Sequence, residues 1–163
     1  INTPARHKMD QPAYFPLEAA EIPTKLSDDG LVRMAVVSGS LLDTRGPIRA
    51  SSPVNSATLA FSNGGAVHIP LPQSHHALIY LLDGRLRIEG HGLVEGLNAV
   101  HFEKNGDGIT LEAVEPTRAL LLSGEPLNEQ VVSHGPFVMN TETQILEAMR
   151  DYQMGKMGIL VED

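Results

Sequence analysis

Between Leu31 and Leu122 the apolar residues arrive in short runs, each soon interrupted by glycine, proline, asparagine, aspartate or serine. Runs of roughly four to eight residues suit β-strands better than core helices, and strand side chains alternate between two faces. The clearest unit is His76 to Gly90. Ala77-Leu78-Ile79-Tyr80-Leu81-Leu82 is a continuous apolar strand, and Asp83-Gly84 has the chemistry of a tight hairpin turn. Arg85-Leu86-Arg87-Ile88-Glu89 then alternates polar and apolar side chains strictly. Similar signals recur at Leu31–Val37, Ala57–Phe61, Ala66–Ile69, Ala99–Phe102, Ile109–Ala113 and Arg118–Leu122. Turn residues separate them at Asn63-Gly64-Gly65, Gly90-His91-Gly92 and Asn105-Gly106-Asp107-Gly108. Many short strands at this spacing predict an all-β sandwich or barrel, and a jelly roll buries one face of each strand.

The ends of the chain follow other rules. From Thr141 the apolar positions Ile145, Leu146, Met149 and Tyr152 fall on a helical stripe. Thr141 and Gln144 have capping-box spacing and Gly155 stands where a helix C-terminus is expected, so an amphipathic helix is predicted from Glu142 to Met154. The N-terminal arm, residues 1–25, carries Pro4, Pro12, Pro16 and Pro23 and should run extended. The expected division is arm 1–25, barrel 26–140, and helix with tail 141–163.

Composition excludes several functions. Cysteine is absent, which removes disulfides, thiolate metal sites and a cysteine nucleophile, and fits a reducing cytoplasm. The net charge of −8, with lysine and arginine scattered singly, argues against direct nucleic-acid binding. No apolar stretch approaches the roughly 20 residues of a membrane span. The start, Ile1-Asn2-Thr3-Pro4, is unlike a signal peptide and points to a processed or truncated chain.

Other constellations have ordinary readings. Serines and histidines are present, but no Gly-x-Ser-x-Gly elbow accompanies them, and Ser38-Gly39-Ser40 and Ser51-Ser52 read as turn and loop residues. Gly90–Gly96 opens no helix and is therefore no phosphate loop. Glu103, Asp107, Glu112 and Glu115 read as solvated carboxylates, and Asp28-Asp29-Gly30 as a turn without the other ligands of a calcium loop. Met139, Met149, Met154 and Met157 suit gaps in a core or interface.

Three stretches together resemble the pirin family. They are Ile1-Asn2-Thr3-Pro4-Ala5-Arg6-His7-Lys8-Met9 with Gln11-Pro12-Ala13-Tyr14; Gly124-Glu125-Pro126-Leu127 with Glu129; and Gly135-Pro136-Phe137-Val138-Met139-Asn140-Thr141 running on to Ile145, Asp151-Tyr152 and Gly155-Lys156. The resemblance spans nearly the whole chain and implies the C-terminal cupin barrel of a bicupin protein. In that family the other, N-terminal cupin holds iron or another divalent metal on three histidines and a glutamate. Some members are quercetinases, and others are redox-responsive co-regulators or bind metabolic enzymes.

The resemblance also locates where this barrel's own ligands would stand. Tyr80-Leu81-Leu82-Asp83-Gly84 resembles the strand and turn that follow the first metal motif. Counting back from Gly84 puts the His-x-His positions on Pro70 and Pro72, and counting forward from Gly96 puts the His-x-Glu positions on Ile109 and Leu111. Apolar side chains ligate no metal, so this chain is expected to hold no metal, cofactor or catalytic residue. The competing reading is a relocated site of His68, His76 and His101; against it, these histidines read as surface or barrel-mouth residues. His75 and His76 are adjacent and would point to opposite faces. Gly135–Thr141 reads as an apolar segment leading to the helix cap, or else as a contact surface for the first domain or a partner.

The function that follows is indirect: a metal-free half that supports the N-terminal cupin of a quercetinase-like dioxygenase or redox-responsive regulator. The alternative is a stand-alone interaction module binding a regulator or metabolic enzyme. An exposed apolar patch is expected where the other domain would sit, with homodimerisation of the isolated chain as its consequence.

Overall fold

The computed structural model describes residues 2–11 and 14–158; Ile1, Pro12 and Ala13 of the opening motif and the tail 159–163 lie outside the described residues. The chain divides into two compact units, Ala13–Pro126, and Ile1–Pro12 together with Leu127–Asp163.

The larger unit is built of strands β1 Thr24–Leu26, β2 Val32–Ser38, β3 Ser40–Leu41, β4 Thr44–Arg45, β5 Val54–Phe61, β6 Ala66–Pro70, β7 His76–Asp83, β8 Arg85–Ile88, β9 Gly92–Glu95, β10 Ala99–Phe102, β11 Gly108–Ala113 and β12 Thr117–Gly124. Six form one sheet in the order β1-β2-β5-β12-β7-β10, and four form another in the order β6-β11-β8-β9. Strict alternation puts Met34, Leu59, Ile79, Leu81 and Leu121 on the inner face of the first sheet and Ile69, Leu86, Ile88 and Leu111 on that of the second. These side chains belong to a single buried cluster. Each contributes about 1.5–3 kcal/mol by leaving water. The jelly roll predicted from the strand pattern is the fold observed.

One local expectation is corrected. Asp83-Gly84 does not close a hairpin, because β7 pairs with β10 and β12 whereas β8 pairs with β9 and β11. The dipeptide carries the chain from one sheet to the other. Gly84 has φ of 77°, and a Cβ there would fall 2.5 Å from the Pro116 carbonyl oxygen and 2.7 Å from the Thr117 Cα. Thr117 fixes the corner by accepting the Arg85 N–H at its Oγ1 over 3.0 Å. Positive φ turns a chain without choosing its partner. The hairpin is instead β8–β9, closed by Glu89-Gly90-His91 with Gly90 at φ 76°.

The arm region is also more structured than its prolines imply. It makes single 3-10 turns at Ala5–His7 and Ala19–Glu21, and Thr24 already belongs to edge strand β1.

In the smaller unit β13, Val132–His134, pairs with β14, Phe137–Met139, around Gly135. Helix α1 follows, Glu142–Gln153. The predicted capping box is present: Thr141 Oγ1 accepts from the Gln144 N–H at 3.2 Å, and Gln144 Oε1 accepts from the Thr141 N–H at 3.1 Å. Phe137 and Tyr152 meet edge to face with ring centres 6.0 Å apart. Among the described residues no helix is long and apolar enough to cross a membrane.

Candidate functional site

A cleft of about 320 Å³ opens in the larger unit, with Leu71, His75, Ala77, Ile88, Phe102 and Ile109 among its lining residues. Of the ligand positions expected from the sequence, Pro72 and Ile109 line it. Ile109 and Leu111 do face inward on β11, at 6% and 0% exposure. Pro70 does not: it is exposed on the outer side of β6, and Pro72 is exposed in the following loop. The inward residues are Ile69, fully buried, and Leu71, whose N–H donates to the Asp107 carbonyl at 2.9 Å. The pair reached by counting from the turn is thus exposed, and the inward pair is one residue away, the step that exchanges the two faces of a strand. Ile69, Leu71, Ile109 and Leu111 present only carbon to the interior.

The three histidines weighed as a relocated site do not meet as a set of three: His76 and His101 are neighbours, and His68 stands apart from them. His68 stands on the outer face of β6, with Nδ1 3.1 Å from Thr110 Oγ1 on the neighbouring strand. His76 and His101 lie on the outer face of the opposite sheet, their ring centres 5.8 Å apart. The buried core separates the two outer faces. Among the described residues no three His, Cys, Asp or Glu side chains are grouped as a metal-ligand set.

What the sequence reading missed is a polar chain leading from the barrel wall to the cleft. Asn55 and Ser123 are buried at inward positions of β5 and β12. Asn55 Oδ1 accepts the Ser40 N–H at 2.9 Å, and Asn55 Nδ2 donates to Ser123 Oγ at 3.0 Å. Ser123 Oγ lies 3.2 Å from Nδ1 of His75 and donates its proton to that nitrogen in the Nε2–H tautomer of the neutral ring. Partial burial holds the His75 pKa below its ordinary value, and the nearby Glu125 carboxylate partly opposes that shift. The available signal was the pattern Ala119, Leu121, Ser123, in which a serine takes a core-facing position. Chemically, the cleft offers two imidazoles, His75 beside the Ser123 hydroxyl and His68 beside that of Thr110, in a lining that mixes apolar Leu71, Ile88, Phe102 and Ile109 with charged Glu89, Glu103, Lys104 and Asp107.

Comparison with known proteins agrees with this architecture. The sequence profile of the Pirin C-terminal cupin domain matches residues 56–158. A pirin-like protein of Caulobacter vibrioides is 36% identical over 159 residues, and human pirin is 33% identical over 162, covering 96% and 97% of this chain. The chain spans just over half of those relatives, 56% and 55% of their lengths. A quercetin 2,3-dioxygenase of Acinetobacter baumannii superposes with a TM-score of 0.90 at 32% identity, over 99% of this chain and 56% of that one. With the two-sheet barrel, its carbon-lined interior and the capped C-terminal helix, these matches mean that the chain belongs to the pirin family, as a C-terminal cupin domain.

Proposed function

We propose that this barrel is the metal-free half of a two-cupin protein, bracing an N-terminal barrel that carries iron or another divalent metal and oxidises a quercetin-like substrate in the cytoplasm. The observation carrying this reading is the inward set Ile69, Leu71, Ile109 and Leu111, which supplies no donor atom at the positions where a cupin metal site converges. The similarity to a quercetin 2,3-dioxygenase of about twice the length supports the rest. A continuous apolar core supports the bracing role, because a close-packed unit deforms little.

The test is oxygen uptake with quercetin after loading with Fe(II), on a protein containing both barrels and on this chain alone. The two-barrel protein is expected to consume oxygen and this chain to consume none. Turnover by this chain alone would overturn the reading.

A second reading, an interaction module without catalysis, draws on the smaller unit. Met9, Val138, Tyr152 and Met157 there are 44–77% exposed, a display of apolar side chains that suits a protein partner or a second copy. Sedimentation of this chain is expected to show self-association rising with concentration. A monomer throughout would remove that support.

A further inference from the structure

His7, His68 and His75 each hold a ring nitrogen near a protein oxygen. Among the described residues, neither ring of the His76–His101 pair does. The pair sits on adjacent antiparallel strands, β7 and β10, where Leu78 faces His101 and Ala77 faces Phe102. His76 is therefore the diagonal neighbour of His101, a relation within reach of long side chains on one face of a sheet. On the other flank of His76 the facing residue of β12 is Gly124, which projects no side chain. Both histidines are exposed. The result is two imidazoles side by side, open to solvent, with nitrogens free to bind.

We propose that His76 and His101 form a two-imidazole clasp for a divalent transition-metal ion on the outer face of the six-stranded sheet. A ring nitrogen bonds such an ion at about 2.0–2.1 Å, placing each ring centre roughly 3.2 Å from the metal. Ring centres 5.8 Å apart can thus reach one ion from two sides. Water completes the coordination, so the clasp is a binding site of modest affinity rather than a closed structural site. The net charge of −8 favours a cation over an anion. Imidazole pairs select copper, nickel and zinc over manganese or magnesium, in the order of intrinsic divalent affinity. The clasp is separate from the carbon-lined interior and stands or falls independently of the two-barrel function.

Titration calorimetry on this chain, stripped with a chelator, tests the assignment with CuCl2, NiCl2, ZnCl2 and MnCl2. One copper, nickel or zinc ion is expected per chain, with copper tightest and manganese weakest. His76→Ala and His101→Ala should each weaken nickel binding by about tenfold or more. His68→Ala, on the opposite sheet, should leave it unchanged. Unfolding midpoints without metal should match the parent for all three variants, since the side chains are exposed. Nickel should raise the midpoint of the parent and of His68→Ala but not of the other two. Absence of binding up to about 1 mM ion, or binding that survives both His76→Ala and His101→Ala, would overturn the clasp.

Discussion

The two compact units achieve order by different means. In Ala13–Pro126 the inner faces of two sheets enclose a continuous apolar cluster, with Ile69, Ile79, Leu81, Leu86, Leu111 and Leu121 fully buried. Among its described residues, the Leu127–Asp163 segment has a short hairpin and one α-helix, in which Ile145 is the buried residue. Its order rests on local devices: the capping box, the Phe137–Tyr152 contact, and Asn140 Nδ2 donating to the Gln130 carbonyl at 2.8 Å. The difference teaches that a non-local core makes the larger unit sensitive to volume, whereas the smaller one is sensitive to its hydrogen bonds. A core truncation in the barrel should therefore be the most damaging change. Leu81→Ala is expected to cost about 3–4 kcal/mol in urea unfolding, since its wholly buried site collapses only in part around the cavity. A cost near zero would mean that the barrel does not pack as tightly as the contrast requires.

The next effect lies where the chain changes sheets. Gly84→Ala forces a Cβ toward the backbone of Pro116 and Thr117 at a positive φ, and should cost about 2–3 kcal/mol. Equal stability would show that the corner relaxes easily and that the barrel's rigidity resides elsewhere. Smaller again is the cap of the second unit. Thr141→Ala removes the acceptor for the Gln144 N–H and should cost the helix about 1 kcal/mol, seen as lost helical ellipticity, with Thr141→Ser restoring most of it. A loss as large as that of Leu81→Ala would erase the distinction between the units.

What the sequence disclosed follows the same division. Strand positions were legible because burial of one face of each strand writes period-2 alternation into Met34, Val36 and Leu59, Phe61. The helix was legible because Thr141 and Gln144 signal locally. Pairing was not legible at Asp83-Gly84, since nothing in the dipeptide distinguishes a hairpin from a corner. The Gly135-Pro136 hairpin was read as a lead-in to the helix or a contact surface, not as a hairpin, its three-residue strands being too short to display a period. At the candidate site, the apolar character of the interior was legible but its register was not. Counting led to Pro70, whereas the neighbouring Ile69 is the buried residue, and only the fold settles which faces inward. The link of Asn55, Ser123 and His75 joins residues far apart in the chain and has no local motif.

That link supplies the smallest effect and shows one place where the barrel's core depends on polar groups. Burial lowers the His75 pKa, so the folded protein binds a proton there less readily than the unfolded chain, whose histidine titrates near 6.5. The contribution to stability is therefore fully present above about pH 6.5 and is lost as the pH falls through the lower folded value. Asp29 and Asp83 also have lowered values, from hydrogen bonds led by Ser27 and Arg118 respectively. Their contributions persist until the more acidic carboxylate range, below about pH 4. The acid limb of the stability curve should accordingly descend in two steps. His75→Gln retains a partner for Ser123 but removes the titration, so it should abolish the upper step and leave the lower one. Urea midpoints measured near pH 7 and near pH 5 make the comparison, with the parent expected to lose more than the variant. Equal losses would place the upper step on another group and detach His75 from the energetics of the barrel wall.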